Sequence, residues 1–258
     1  MGFASSLVRL PVSAFRALRY VEFSLYYAAA DLNHRHELYA SRKRAGPATF
    51  RSYEPSSKHC GDVLLRRLLS NCRAGDVVVD AGANTGVYSL AVAAATPDAT
   101  VVAFEPNPRV CDQLRTNVRR NGFGSRIDVR NLGLGDESAT RTFYRSNYGE
   151  LGSFNAYNAG AWEARVEAAV PIEIRRLDDL VSDGAIPPPD HLKIDVEGFG
   201  YEVLSGASET LRAHRPVVYF EPHRIAAGID RDDECAAFLS AHGYRVRTRG
   251  DAWLCEPI

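Results

Sequence analysis

From about Tyr53 onward, short apolar runs alternate with segments whose apolar residues recur at steps of three and four. The runs Val77–Ala81, Thr100–Phe104, Ile127–Asn131, His191–Asp195 and Val217–Glu221 read as strands, rich in β-branched side chains. Between them, Val87–Ala95, Arg109–Asn121, Tyr201–His214 and Asp232–His242 read as helices, and Asp62–Leu69 precedes the first strand as another. Strands without a polar face belong in a parallel sheet covered on both sides, with right-handed crossovers carrying the helices. The end of the chain breaks this pattern. Tyr244–Thr248 and Ala252–Glu256 flank Arg249–Gly250–Asp251 and read as an antiparallel hairpin. The expected fold is therefore α/β: a doubly wound, mostly parallel, seven-stranded Rossmann-like sheet closed by a C-terminal antiparallel hairpin.

Two stretches depart from the alternation. Leu7, Leu10, Ala14, Leu18, Val21 and Leu25 mark one face of an N-terminal helix, and the basic run Ser41–Gly46 before Pro47 reads as a linker or turn. Residues 1–50 are expected to be a helical extension and residues 51–258 the main domain. Within the latter, Arg141–Arg145 and Val170–Arg176 read as additional strands around the Gly/Asn/Tyr-rich stretch Asn147–Gly160, an insertion expected to be a functional loop. Tyr144, Tyr148, Phe154, Tyr157 and Trp162 are its candidate acceptor-lining aromatics.

Composition narrows the classes of function. Hydrophobic residues make up 45% of 258 residues and the formal net charge is -1, which supplies a core and gives no global attraction for nucleic acid. The five cysteines form no CxxC pair, as expected of a reducing, cytoplasmic setting. No run reaches the ~20 apolar residues of a membrane span. The basic N-terminal helix is a candidate for peripheral contact with a membrane or glycolipid, or for a homodimer contact.

The strongest chemical signal is the turn Asp80–Ala–Gly82–Ala–Asn84–Thr–Gly86 between the first strand and its helix. Its glycines follow G-x-x-x-G, which is neither the dinucleotide G-x-G-x-x-G nor a phosphate-binding G-x-x-x-x-G-K-[ST] loop. A nicotinamide dehydrogenase and an ATP cradle are both disfavoured. Glu105 closes the next strand, where a carboxylate can accept hydrogen bonds from ribose hydroxyls. Asp80 can meet an ammonium group or order the loop, and Asp136, after the third strand, is a candidate partner for an adenine amino group. Asp195, Glu197, Glu221 and His223 sit at the carboxyl ends of the fourth and fifth strands. Asp195, Glu221 and His223 are the candidate acceptor-side centre, with His223 as proton acceptor. Asp195 and Glu221 are also a candidate magnesium pair.

The runs Asp80–Ser89, Phe104–Pro108, Asn117–Gly122, Leu177–Leu180, Leu192–Gly198 and Val203–Ala207, in this order, resemble the FkbM family of methyltransferases. The resemblance covers roughly Tyr53 to Glu221 and implies S-adenosylmethionine as donor and a hydroxyl of a sugar, glycolipid or natural product as acceptor. Asp195–Val–Glu–Gly198 stands where an N-methyltransferase would carry Asn/Asp-Pro-Pro-aromatic. A catalytically silent donor-binding or scaffold protein on the same fold is the alternative.

Overall fold

The computed structural model describes residues 12–160, 164–223, 231–249 and 252–258. Leu7, Leu10, Trp162 and the turn at Gly250–Asp251 lie outside the described residues. Helix α1 (Val12–His36) leads into a hairpin of β1 (Ser41–Ala45) and β2 (Ala48–Ser52), and α2 (Val63–Asn71) follows a short 3-10 turn, Lys58–Gly61. The repeating unit is β3 (Val77–Ala81), α3 (Val87–Ala95), β4 (Thr100–Phe104), α4 (Pro108–Asn121) and β5 (Ile127–Arg130). The insertion holds β6 (Gly133–Leu134), β7 (Ala139–Ser146), α5 (Ala156–Ala159) and β8 (Val166–Arg175). Then come α6 (Leu177–Ser182), β9 (His191–Ile194), α7 (Gly200–Ser205), α8 (Ser208–His214), β10 (Val217–Phe220), α9 (Asp232–Ala241), β11 (Tyr244–Arg249) and β12 (Ala252–Pro257).

The main sheet has seven strands in the order β11-β12-β10-β9-β3-β4-β5. Strands β10, β9, β3, β4 and β5 run parallel, and β12 pairs antiparallel with both β10 and β11. From β3 the chain builds outward through β4 and β5, then returns to the other side of β3 with β9 and β10. That reversal opens a crevice at the carboxyl ends of β3 and β9. A separate sheet, β6-β8-β7, carries the insertion.

Both faces of the main sheet are covered. Leu64, Leu65 and Leu68 of α2, Leu90 of α3 and Leu114 of α4 pack on one side with Val78 and Val101. Leu177, Leu180, Leu204, Leu211 and Leu239 pack on the other with Val79, Leu192 and Ile194. Each fully buried aliphatic side chain of this kind stabilises the fold by about 1.5–3 kcal/mol. The ends of α4 follow its local sequence: Asn107 caps it by accepting from the Arg109 N–H at 3.2 Å, Pro108 opens it, and Gly122 ends it at φ 69°.

Three expectations are corrected. The basic run expected as a linker is strand β1. Its hairpin places Ala45, Ala48 and Phe50 in the core, so the hairpin crosses the expected boundary at residue 50. The helix read over Tyr201–His214 divides between Ser205 and Ser208, because Gly206 passes against the backbone of Gly135. In α1, Val21 and Leu25 face solvent, while Tyr20, Phe23 and Tyr27 pack around Tyr148 of the insertion. Aromatic area outweighs the aliphatic stripe there. Among the described residues, no helix is long and apolar enough to cross a membrane.

Candidate active site

A pocket of about 240 Å³ lies in the crevice where the sheet order reverses. One wall is the turn after β3. Gly82 takes φ 76°, and a Cβ on it would fall 1.8 Å from the carbonyl oxygen of Asp195, so only glycine lets the two strand ends meet. Asn84, also left-handed at φ 52°, donates its backbone N–H to Glu105 Oε2 at 2.9 Å. Asn107 donates its N–H to the other oxygen of Glu105 at 2.8 Å. The Glu105 carboxylate is thereby fixed at the pocket wall. Its burial outweighs these two bonds and pushes its pKa up to about 7. Beyond it, Phe104, Leu132, Leu134, Phe143 and Phe154 form an apolar wall suited to a flat ring.

Asp195, Glu197, Glu221 and His223 meet at the opposite wall. His223 Nε2 lies 2.6 Å from Asp195 Oδ1, and its Nδ1 lies 3.6 Å from Glu197 Oε2. Burial disfavours the charged ring, but the Asp195 hydrogen bond and the carboxylates of Glu197 and Glu221 outweigh it and push its pKa up to about 9. Burial alone would raise Asp195; Lys193 and His223 outweigh it and hold the carboxyl well below the usual range. Glu221 is raised, first by burial and then by Asp195. Glu197 is itself left-handed at φ 42°, and its carbonyl accepts bonds from Ser153 Oγ at 3.0 Å and Asn158 Nδ2 at 2.9 Å. The insertion therefore braces a strained residue of the site.

Gly82, Asn84, Glu105, Asp195, Glu221 and His223 all line this pocket; Asp80, Gly86 and Asp136 do not. Asp80 is fully buried behind the turn. It accepts from Ser89 Oγ at 2.6 Å and pairs with the Lys193 ammonium at 3.2 Å, so it braces the turn from beneath. Gly86 (φ 95°) begins α3 where a Cβ would strike Leu114 at 2.3 Å, a packing requirement. Asp136 is half-exposed with an oxygen 3.6 Å from Arg141, whereas Leu132, Gly133 and Leu134 before it line the pocket. Of the aromatics, Phe154 lines the pocket, Tyr148 is buried under α1 and Tyr157 is exposed.

The magnesium pair expected on Asp195 and Glu221 is not part of one three-residue ligand cluster among the described residues. The groups whose ligand atoms lie within 4.8 Å of one another here are Asp195, Glu197 and His223, without Glu221. Asp195 also has two cationic neighbours already, His223 and Lys193 Nζ at 3.5 Å. A hard cation would have to displace both partners, so no step is derived through one.

Two residues escaped the reading of the sequence. Lys193 is a buried cation on β9 that donates to the Gly82 carbonyl at 2.7 Å and pairs with Asp80 and Asp195. Its place in an apolar strand, as a lone lysine between Leu192 and Ile194, was the signal available. His59 reaches the same pocket from the 3-10 turn before α2, and nothing local marked it.

A profile described as the methyltransferase FkbM domain matches residues 80–246. The AMB antimetabolite synthetase AmbE of Pseudomonas aeruginosa is 31% identical over 211 residues, 69% of this chain and 10% of that protein. The hexuronic acid methyltransferase AglP of Haloferax volcanii is 32% identical over 170 residues, 66% of this chain and 64% of AglP. The 31-O-demethyl-FK506 methyltransferase FkbM of Streptomyces tacrolimicus is 29% identical over 201 residues, 69% of this chain and 76% of that protein. The chain thus spans less than two thirds of the length of AmbE and of AglP.

Proposed function

The chain belongs to the FkbM methyltransferase family, and we propose that it moves a methyl group from S-adenosylmethionine to a hydroxyl oxygen of a sugar, glycolipid or natural product. The observation that carries this reading is the meeting, in one pocket, of the Gly82 turn and Glu105 with the Asp195–His223 pair. The names of AglP and FkbM, a hexuronic acid methyltransferase and an O-demethyl-FK506 methyltransferase, support the acceptor class.

The residues fit such a donor. Glu105 offers a fixed carboxylate to ribose hydroxyls, the Phe104–Leu134–Phe154 wall offers contact to a purine, and the bare backbone of Gly82 admits close approach. The site's excess of carboxylates suits a cation. When bound, the donor supplies a methyl group already activated by its sulfonium charge.

A hydroxyl is a weak nucleophile, so the chain must align it and take its proton. In the neutral ring of His223, Nε2–H is donated to Asp195, which leaves Nδ1 to accept the acceptor's proton beside Glu197. A donor held by Glu105 and the Gly82 turn would supply the methyl group and keep the carbon–sulfur electron pair on its sulfur. The positive charge of the site passes to the imidazolium, where Asp195 and Glu197 stabilise it. Helix α1 leaves Val21, Leu25 and Leu32 in solvent, which supports its reading as the element that meets a lipid-linked acceptor.

Calorimetry with S-adenosylhomocysteine, followed by transfer of labelled methyl into cell extracts, tests the proposal. Binding with a labelled glycan or lipid product is expected. Absence of binding overturns it. Binding without transfer to any acceptor favours the silent donor-binding alternative.

A further inference from the structure

Helix α1 ends in a way that costs stability and exposes apolar area. The Leu38 N–H donates to the Asn33 carbonyl at 3.2 Å and the Glu37 N–H to that of His34 at 3.3 Å, the bond pattern of a Schellman stop. The left-handed position of such a stop is usually glycine; here it is Glu37 at φ 48°, a conformation that a Cβ disfavours. The stop normally folds the following apolar side chain back onto its own helix. In this chain the helical partner is the polar Asn33, and Leu38 and Tyr39 stand 64% and 72% exposed. The turn is nevertheless held. The Asn33 side chain donates to the Tyr39 carbonyl at 2.9 Å and accepts from the Tyr39 N–H at 2.8 Å. Two large, mainly apolar side chains are thus fixed in solvent.

Beside this turn the β1–β2 hairpin presents arginines. The register sets Arg42 directly opposite Arg51 and Arg44 opposite Thr49; all four are exposed, while Lys43, Ala45, Ala48 and Phe50 alternate inward. Like charges directly opposite on a strand pair repel. Among the described residues no carboxylate pairs with Arg42, Arg44 or Arg51. Arg51 Nη1 donates to the Ala40 carbonyl at 3.1 Å, which sets the arginine face next to Leu38 and Tyr39. Glu37, the carboxylate at the turn, is taken up by Arg119 at 3.6 Å and by the Tyr53 hydroxyl, which donates to it at 3.2 Å. On α1 itself Val21, Leu25, Ala28 and Leu32 recur at steps of four and three along the exposed face, turned away from Tyr20, Phe23 and Tyr27.

An apolar helix face, a fixed apolar turn and an unpaired arginine face follow one another along the chain. Together they match the surface of an anionic bilayer, where apolar side chains enter the acyl boundary and guanidiniums meet headgroup phosphates. A symmetric contact with a second copy would instead bury the patch against itself, arginines included. We propose that residues 21–51 form a docking surface for an anionic membrane: α1 lies along the interface, Leu38 and Tyr39 insert, and Arg42, Arg44 and Arg51 bind lipid phosphates. The assignment deepens the reading of α1 as the lipid-facing element and does not depend on the identity of the methyl donor. It explains why three arginines are gathered on one hairpin face without a carboxylate to answer them.

The test is co-sedimentation of the full chain with vesicles of phosphatidylcholine alone and of phosphatidylcholine mixed with phosphatidylglycerol, at low and high salt. Partitioning about tenfold or more stronger onto the anionic vesicles is expected, weakening as salt rises. Arg42→Gln combined with Arg44→Gln should remove most of that preference, and Leu38→Gln should lower partitioning onto the anionic vesicles about tenfold. Tyr39→Gln is the second variant should Leu38→Gln melt below the parent. None of these side chains lines the pocket, so affinity for S-adenosylhomocysteine, read by calorimetry, should stay within about twofold of the parent. Equal partitioning onto both vesicles, no partitioning onto either, or partitioning unmoved by the arginine variant overturns the assignment. So does a dimer in sedimentation velocity that Leu38→Gln dissolves while no vesicle is bound, which would give the face to a second copy. Failure of the parent to bind S-adenosylhomocysteine overturns the methyltransferase reading and is read separately from the vesicles.

Discussion

The ammonium of Lys193 lies 2.7 Å from the carbonyl oxygen of Gly82, and through this contact a strand interior fixes the turn that forms the pocket wall. The same nitrogen pairs with Asp80 at 3.2 Å and Asp195 at 3.5 Å, and sits 5.1 Å from the ring centroid of Tyr88. One buried cation thus neutralises two carboxylates and orients the backbone between them.

Removing that charge while keeping its bulk should be severe. Lys193→Met leaves the fully buried Asp80 without its cation and takes one of two cationic neighbours from Asp195, for which a loss of about 3–5 kcal/mol of stability is expected. Urea denaturation measures it. A midpoint close to that of the parent would mean that the two carboxylates are relieved by other means.

The pH response of the Asp195–His223 pair has a definite sign. The folded pKa of His223, about 9, lies above its ordinary 6.5, so the pair's contribution is whole below about pH 6 and is lost as pH rises toward 9. The shift corresponds to about 3 kcal/mol. The stability difference between parent and His223→Gln, followed by denaturation from pH 6 to 10, should therefore shrink. As a proton acceptor, His223 must be neutral, so kcat/KM should climb to a limb near pH 9. Asp195→Asn should move that limb to lower pH. A limb unmoved by Asp195→Asn would assign it to another group.

Glu105 and Asp136 should separate in donor binding. Glu105 touches the pocket, whereas Asp136 faces Arg141 outside it. Glu105→Ala is expected to weaken S-adenosylhomocysteine at least tenfold in calorimetry, and Asp136→Ala to leave it within about twofold. Comparable losses in both would place Asp136 at the donor as well.

Chelation should change little. Because Lys193 and His223 already flank Asp195, incubation with EDTA followed by dialysis should leave labelled-methyl transfer unaltered. Activity lost to EDTA and restored by magnesium would establish a cation at Asp195, Glu197 and His223.

Local sequence located the elements where one interaction dominates. The runs Val77–Ala81 and Thr100–Phe104 coincide with β3 and β4, since β-branched residues buried on both faces have few alternatives to a central strand. The hairpin β1–β2 was hidden because Arg42, Lys43 and Arg44 carry the alternation of β1, and the inward face of the hairpin is fixed by the packing of β2 on α3 and α4. Lys43 is the one that turns inward, toward two carbonyls that no pattern announces.

What the chain determined by itself is the order of strands and helices, the glycine at Gly82 and the acids at the strand ends, because these follow from hydrophobic period and backbone sterics over a few residues. Tertiary structure alone decided which polar groups share a volume. It brought His59 to the pocket of His223, set Lys193 beneath the Gly82 turn and turned Asp136 away, since strand order and loop path fix such distances and neither is written in neighbouring residues.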